Sequence, residues 1–346
     1  MDFTRDQTQK AVAEAAAGLL AQASSRSDDQ AWAAVSGLME LALPERFGGD
    51  EVGLLGVATL LTEIGRTATS VPALATLGFG VLPLLAMADD AVQDELFPKV
   101  ATGAVLTAAL GEPGAPFLAT PAATAVVEGD SVIVTGAKIA VPYAEQALRI
   151  LVPTDAGVAL VAPDAEGVQL TTTPSSSGAP EFAVRLDGVR VPRTALIDGD
   201  PAVLLRIALA SIGAVADGLV SGAAALTAEH LRTRHQFGKP LATFQAVAQQ
   251  IADVYVTSRT LHVSSLASTW RLAESLDADS DLDVLAYWLT SEVPAAMQVC
   301  HHLHGGLGVD VTYPMHRYYS QSKDLARLVG GAAYRLDLLG ARCSSI

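Results

Sequence analysis

The stretch from Val203 to Leu226 is almost wholly apolar, interrupted only by Arg206 and Asp217. It is long enough to cross a bilayer, which takes about 20 residues, so the chain either spans a membrane or wraps a bundle around this helix. Its many Ala, Gly and Ser residues and its two charges favour the buried helix of a bundle. A helix apolar all round needs partners on every side. With 346 residues, 50% of them hydrophobic and 17% charged, the chain can supply them and forms two or three packed units.

Three textures follow one another along the chain. Residues 1–105 read as helical, with Ala- and Leu-rich runs punctuated at Pro44, Gly48-Gly49 and Pro72. Residues 106–196 switch to short valine-rich runs: Thr124 to Val127, Val132 to Thr135, Ile150 to Val152, Val158 to Val161 and Phe182 to Leu186. Turn signals separate them at Glu128-Gly129-Asp130, Asp155-Ala156-Gly157 and Asp187-Gly188, and Ser175 to Gly178 reads as a flexible loop. Residues 197–346 return to helix over about 203–233, 241–275, 281–302 and 314–340. The fold class is therefore α+β: an N-terminal helical domain, a middle antiparallel β domain and a C-terminal four-helix bundle.

The formal charge of −15 makes a nucleic-acid binder an unlikely reading, because such binding needs a basic footprint. Cys300 and Cys343 make neither a disulfide framework nor a four-ligand zinc site, and the N-terminus lacks the pattern of a secretory signal; both fit the cytoplasm, with no membrane partner.

Against this acidic background Arg232, Arg234 and Lys239 cluster in Arg232-Thr-Arg-His-Gln-Phe-Gly-Lys-Pro240, at the end of the apolar helix. One reading is that they complement the helix dipole. The other is an anionic ligand: Phe237, Phe244 and Gln245 nearby suit an aromatic ring beside a phosphate. A second segment, His301-His302-Leu303-His304-Gly305-Gly306-Leu307-Gly308, invites a metal reading, but adjacent histidines diverge on a helix and no carboxylate or cysteine completes the set. Its glycines mark a helix end where backbone approaches a partner or ligand closely.

Taken together, Arg-x-Gln-Phe-Gly-Lys-Pro, the Phe244-Gln245 pair, the His-Gly-Gly-x-Gly loop and Tyr313-Pro314 resemble the acyl-CoA dehydrogenase family. The resemblance extends to Leu43 to Gly49, Gly111 to Gly114 and Asp187 to Pro192. It implies a helical, β, helical fold in which FAD lies at a subunit interface and an acyl-CoA thioester is oxidised between Cα and Cβ. It also implies a glutamate base at one of two positions, which here are Val329, and Ala208 or Leu209; none accepts a proton. The family's Thr-Glu-x-x-x-Gly-Ser-Asp segment stands here as Gly111 to Phe117, its Trp-Ile-Thr as Ala140-Val141-Pro142, and the threonine after its base as Gly331.

The complementary half of the site is kept. The resemblance assigns Arg234 to the FAD pyrophosphate, with Gln236 and Gln245 as polar neighbours and Phe237, Leu241 and Phe244 lining the adenine side. His302, where the family usually has glutamine, joins Leu303, Gly305 and Gly306 in the facing loop; a plain helix-end histidine is its alternative. A chain that keeps only this half resembles the non-catalytic subunits of actinobacterial α2β2 acyl-CoA dehydrogenases of steroid side-chain degradation. Matches at Tyr143 to Gln146, Thr269 to Glu274 and His301 to Tyr319 support that. The partners implied are a catalytic subunit that completes the FAD site, an acyl-CoA held mainly by that subunit, and electron-transfer flavoprotein. Two alternatives stand beside it: a self-sufficient enzyme with a displaced base, Glu112 or Asp217, and a flavin-free scaffold. Their plain readings are a turn residue for Glu112 and an ion pair within the bundle for Asp217.

Overall fold

The computed structural model describes residues 4–23, 28–117 and 120–344. The N-terminal helices are α1 (Gln7–Ala23), α2 (Asp28–Val35), α3 (Gly53–Arg66), α4 (Leu82–Met87) and α5 (Asp90–Ala101), with a π-helical segment, Leu74–Val81, leading into α4. Asp89 starts α5 by accepting the Val92 amide at 3.0 Å.

Two sheets follow. In one, β1 (Val105–Ala108), β6 (Ala147–Thr154), β7 (Gly157–Val161) and β10 (Leu196–Ile197) lie side by side. The other runs β3 (Ala115–Pro116), β2 (Gly111–Glu112), β5 (Ser131–Pro142), β9 (Glu181–Pro192), β8 (Val168–Thr172), with β4 (Thr124–Glu128) also pairing β5. The five valine-rich runs all fall inside these strands. Pairing is antiparallel except between β1 and β6, because the chain passes through the second sheet before returning beside β1. Asp187-Gly188 is not the expected turn. Both residues face Thr135 as a bulge inside β9, with Gly188 at φ 64°, so the strand continues to Pro192.

The C-terminal bundle consists of α6 (Pro201–Thr233), α7 (Gln245–Ala273), α8 (Asp279–His304), α9 (Met315–Leu328) and α10 (Gly331–Ser344). The fourth predicted run thus breaks into two helices, since Gly330 and Gly331 sit at φ 97° and 79°. Asp200 caps α6 through the Ala202 amide at 2.9 Å, with Pro201 in the first turn.

The apolar helix α6 is the fold's axis. Of its most membrane-like window, 83% is buried inside the protein. Its closest neighbour is α3, and glycines bring the two backbones together: a Cβ on Gly218 would stand 2.0 Å from the Thr62 carbonyl oxygen, and one on Gly222 2.2 Å from that of Arg66. Thr62 Oγ1 donates across the seam to the Ala214 carbonyl at 3.1 Å. One core joins the N-terminal helices, α6 and the bundle, and the sheets enclose a second.

Candidate functional site

Helix α6 ends at Arg234, whose amide donates to the His230 carbonyl at 2.8 Å. The chain then doubles back as a small hairpin, β11 (His235–Gln236) against β12 (Lys239–Pro240), with Gln236 opposite Lys239. Phe237 and Gly238 form its two-residue tip at φ 52° and 79°, as a turn matched to the strand twist requires. The hairpin holds the Phe237 ring 91% exposed. The ring meets Phe244 edge-on at 6.3 Å, and Lys239 Nζ lies 4.4 Å from the centre of the Phe244 ring. Leu241 closes the hairpin by donating its amide to the Arg234 carbonyl at 2.9 Å, and Gln245 is the exposed first residue of α7.

The three basic residues are not equivalent. Arg232 pairs with Glu229, and Lys239 lies over Phe244. Arg234 is exposed and has no carboxylate partner among the described residues. Helix α8 ends at His304, with His302 exposed and Leu303 buried. Gly305 follows at φ 58°; a Cβ on it or on Gly306 would meet nothing within 4 Å, so the loop's outer side is open. The rings of His230 and His304 stack at 4.5 Å and 24°, tying the end of α6 to this loop.

A second feature lies between the β domain and α9. A cavity of about 120 Å³ is lined by Ala140, Pro142, Val71 and Leu325 among others. Two of its lining residues tie α9 to the β domain: Glu181 pairs with Arg327, and Asp324 accepts the amides of Ser176 and Ser177 at 2.7 and 2.9 Å. The Ser175 to Gly178 segment, expected to be a flexible loop, is thereby anchored to α9. Val329 is fully buried, and its carbonyl accepts from Arg335 Nε at 2.6 Å. The Arg335 guanidinium lies 5.6 Å from the centre of the Phe117 ring, and a Cβ on Gly330 would stand 2.7 Å from Pro116.

The two acids considered as displaced bases are both engaged. Glu112 is not a turn residue. It lies in β2, accepts Lys138 Nζ at 2.6 Å and takes the Ala122 and Ala123 amides at 2.7 and 3.0 Å. Burial pushes its carboxyl up, but the Lys138 ammonium and the two amides outweigh this and hold it below its ordinary value. Asp217 pairs inside the bundle, as expected, with His262 Nδ1 2.8 Å away.

Residues 2–104 match the family pattern described as acyl-CoA dehydrogenase, N-terminal domain, and residues 205–343 match its C-terminal domain. Acyl-CoA dehydrogenase FadE28 of Mycobacterium tuberculosis is 51% identical, over 99% of both chains. This chain belongs to the acyl-CoA dehydrogenase family. FadE27 of the same organism is 30% identical over 91% of this chain and 88% of its own. Among solved structures, the Tcur3481-Tcur3483 steroid ACAD G363A variant superposes with a TM-score of 0.88 at 32% identity, over 97% of this chain and 98% of its own. The ChsE4-ChsE5 complex from Mycobacterium tuberculosis gives 0.91 at 26%, over the whole of both chains.

In this acyl-CoA dehydrogenase the two segments singled out in the sequence meet at one end of the bundle, through a pair not anticipated there. His230 lies four residues before Arg234 and His304 directly before Gly305; that adjacency was the available signal. Burial lowers the pKa of both imidazoles, and at His230 the neighbouring His304 and Arg234 lower it further.

Proposed function

We propose that this chain is the non-catalytic subunit of a heteromeric, FAD-dependent acyl-CoA dehydrogenase, completing the partner's FAD site with its adenosine and pyrophosphate half. The observation that carries the reading is Arg234, a guanidinium with no carboxylate partner among the described residues, beside an exposed Phe237 and an open glycine loop. Such a group suits a pyrophosphate, whose oxygens accept paired N–H bonds. Gln236, Gln245 and His302 supply polar contacts nearby, and Leu241, Phe244 and Leu303 the apolar wall.

The chain's own flavin cleft argues in the same direction. Ligand pockets run to about 300–1,000 Å³, and the cavity beside Ala140 and Pro142 is about 120 Å³. At Val329 the side chain has no proton-accepting group, and Glu112 and Asp217 are committed elsewhere. These residues do not fit an isoalloxazine ring or a catalytic base. Bound FAD supplies the hydride acceptor for α,β-dehydrogenation in this family. The role of this chain is to hold the cofactor's distal end in the partner's site.

Both similar structures, Tcur3481-Tcur3483 and ChsE4-ChsE5, pair two components and the first is a steroid ACAD, which supports a steroid side-chain acyl-CoA as substrate and an α2β2 assembly. Electron-transfer flavoprotein is the acceptor we assign, in the cytoplasm. The test is co-expression with a catalytic acyl-CoA dehydrogenase, reading FAD per complex. The complex binds FAD, the chain alone purifies colourless, and Arg234→Ala weakens FAD binding by about tenfold or more, the loss of one charge-assisted contact. A yellow, active preparation of the chain alone overturns the reading.

A further inference from the structure

The histidine pair at the end of the bundle has a geometry that packing alone does not require. His304 Nδ1 lies 2.8 Å from the Cys300 carbonyl oxygen. A carbonyl only accepts, so Nδ1 carries the proton and Nε2 is left as a bare lone pair. That Nε2 is buried and has no hydrogen-bond partner. The ring is therefore held as one neutral tautomer, 5% exposed, with His230 stacked at 4.5 Å and Tyr313 at 5.2 Å. His230 serves two neighbours at once: its ring lies on His304 while its carbonyl takes the Arg234 amide at 2.8 Å. His304 is the last residue of α8, one bond from Gly305.

We propose that His304 is a positioning residue for the cofactor half-site, its ring setting the Gly305-Gly306 loop at a fixed distance from Arg234 through His230. The inference rests on the function proposed above and assigns no contact between His304 and FAD. Aromatic contact, rather than the hydrogen bond to Cys300, is the part of His304 that acts, because it alone reaches across to α6.

The experiment is FAD titration of the co-expressed complex, read by flavin fluorescence, with assembly checked by light scattering. Wild type is compared with Arg234→Ala, His304→Ala, His304→Phe and the double variant His304→Ala/Arg234→Ala. His304→Ala weakens FAD binding about tenfold in an assembled complex, and His304→Phe, which keeps a ring against His230 and Tyr313, recovers most of it. Because His304 acts by holding the loop in register with Arg234, the loss in the double variant is smaller than the sum of the two single losses. Additive losses, or His304→Ala with unchanged affinity while Arg234→Ala loses it, overturn the positioning role. An Arg234→Ala complex with wild-type affinity overturns the proposed function instead, and this role with it. Should His304→Ala not assemble, His230→Leu removes the same stack from the other side and is judged by the same criteria.

Discussion

At the residue scale the most constrained charges are Glu112 and Lys138. Lys138 is 2% exposed and also donates to the Pro153 carbonyl at 2.8 Å, so both ions lie inside the β domain with their hydrogen bonds satisfied. Breaking such a pair by removing one partner leaves a buried, uncompensated charge and costs about 3–5 kcal/mol. Lys138→Met therefore lowers the thermal midpoint by many degrees in a calorimetric scan, whereas an exposed pair such as Arg190 with Glu128 is removed almost without effect. Nothing in the sequence linked residues 26 positions apart, and a glutamate between Gly111 and Pro113 has the look of a turn. The Asp217 pairing was easier to anticipate, since an acid in the most apolar helix must find a partner.

The histidines carry a pH prediction. His230, His301 and His304 all have pKa values below the ordinary imidazole value of 6.5, with burial as the first cause. The folded chain then holds fewer protons than the unfolded chain near that pH. Stability is full above about 6.5 and is lost as pH falls through 6.5 toward the lower folded values. Thermal melts between pH 7.5 and 5.5 should show this decline, and His304→Phe, with one titrating group fewer, should show a shallower one.

At the scale of elements, the helix-to-strand-to-helix order was legible because hydrophobic spacing changes twice along the chain, and the five valine-rich runs mark true strands. What local pattern could not reveal were features decided by pairing. Asp187-Gly188 carries the same kind of turn signal as Gly129-Asp130 and Asp155-Ala156-Gly157, and only Thr135 on the facing strand makes it a bulge. The seam between α3 and α6 is similar: Gly65, Gly218 and Gly222 are recognisable as small residues, but their purpose appears only once two backbones touch. Gly218→Ala places a methyl 2.0 Å from the Thr62 carbonyl oxygen, which is itself bound into a helix and has little room to yield. We expect a loss of at least about 1–3 kcal/mol by denaturant unfolding. Gly306→Ala is the contrasting case, since its Cβ meets nothing within 4 Å. It should leave stability within about 0.5 kcal/mol and weaken FAD binding in the complex, because the added methyl occupies the open side of the loop.

For the whole molecule, the apolar helix α6 connects the packed core to the exposed end that carries Arg234. Its middle is buried against α3; at its C-terminal end Arg234 is exposed while His230 is half-buried against His304. The exposed side chains around that end and along α7, among them Phe237, Tyr255, Val256, Val309 and Val311, form apolar surface suited to a partner chain. The chain expressed alone is accordingly expected to self-associate, and co-expression with the catalytic subunit to give a single species by size-exclusion chromatography with light scattering. The residues proposed for the cofactor half-site stand out in sequence because they cluster in two short segments, and the stack of His230 on His304 joins the ends of the helices that carry them. The tie between α9 and the β domain was not legible there, since it depends on Arg327 reaching Glu181 across 146 positions.

In the proposed function this chain holds FAD in a site it cannot complete alone. The most direct measurement is flavin stoichiometry of the purified complex with a catalytic acyl-CoA dehydrogenase, set beside that of this chain alone and that of the Arg234→Ala complex. We expect one FAD for each pair of unlike chains, none on the chain alone, and weakened FAD binding with Arg234→Ala. One FAD on every chain, or full retention of flavin after Arg234→Ala, would contradict it.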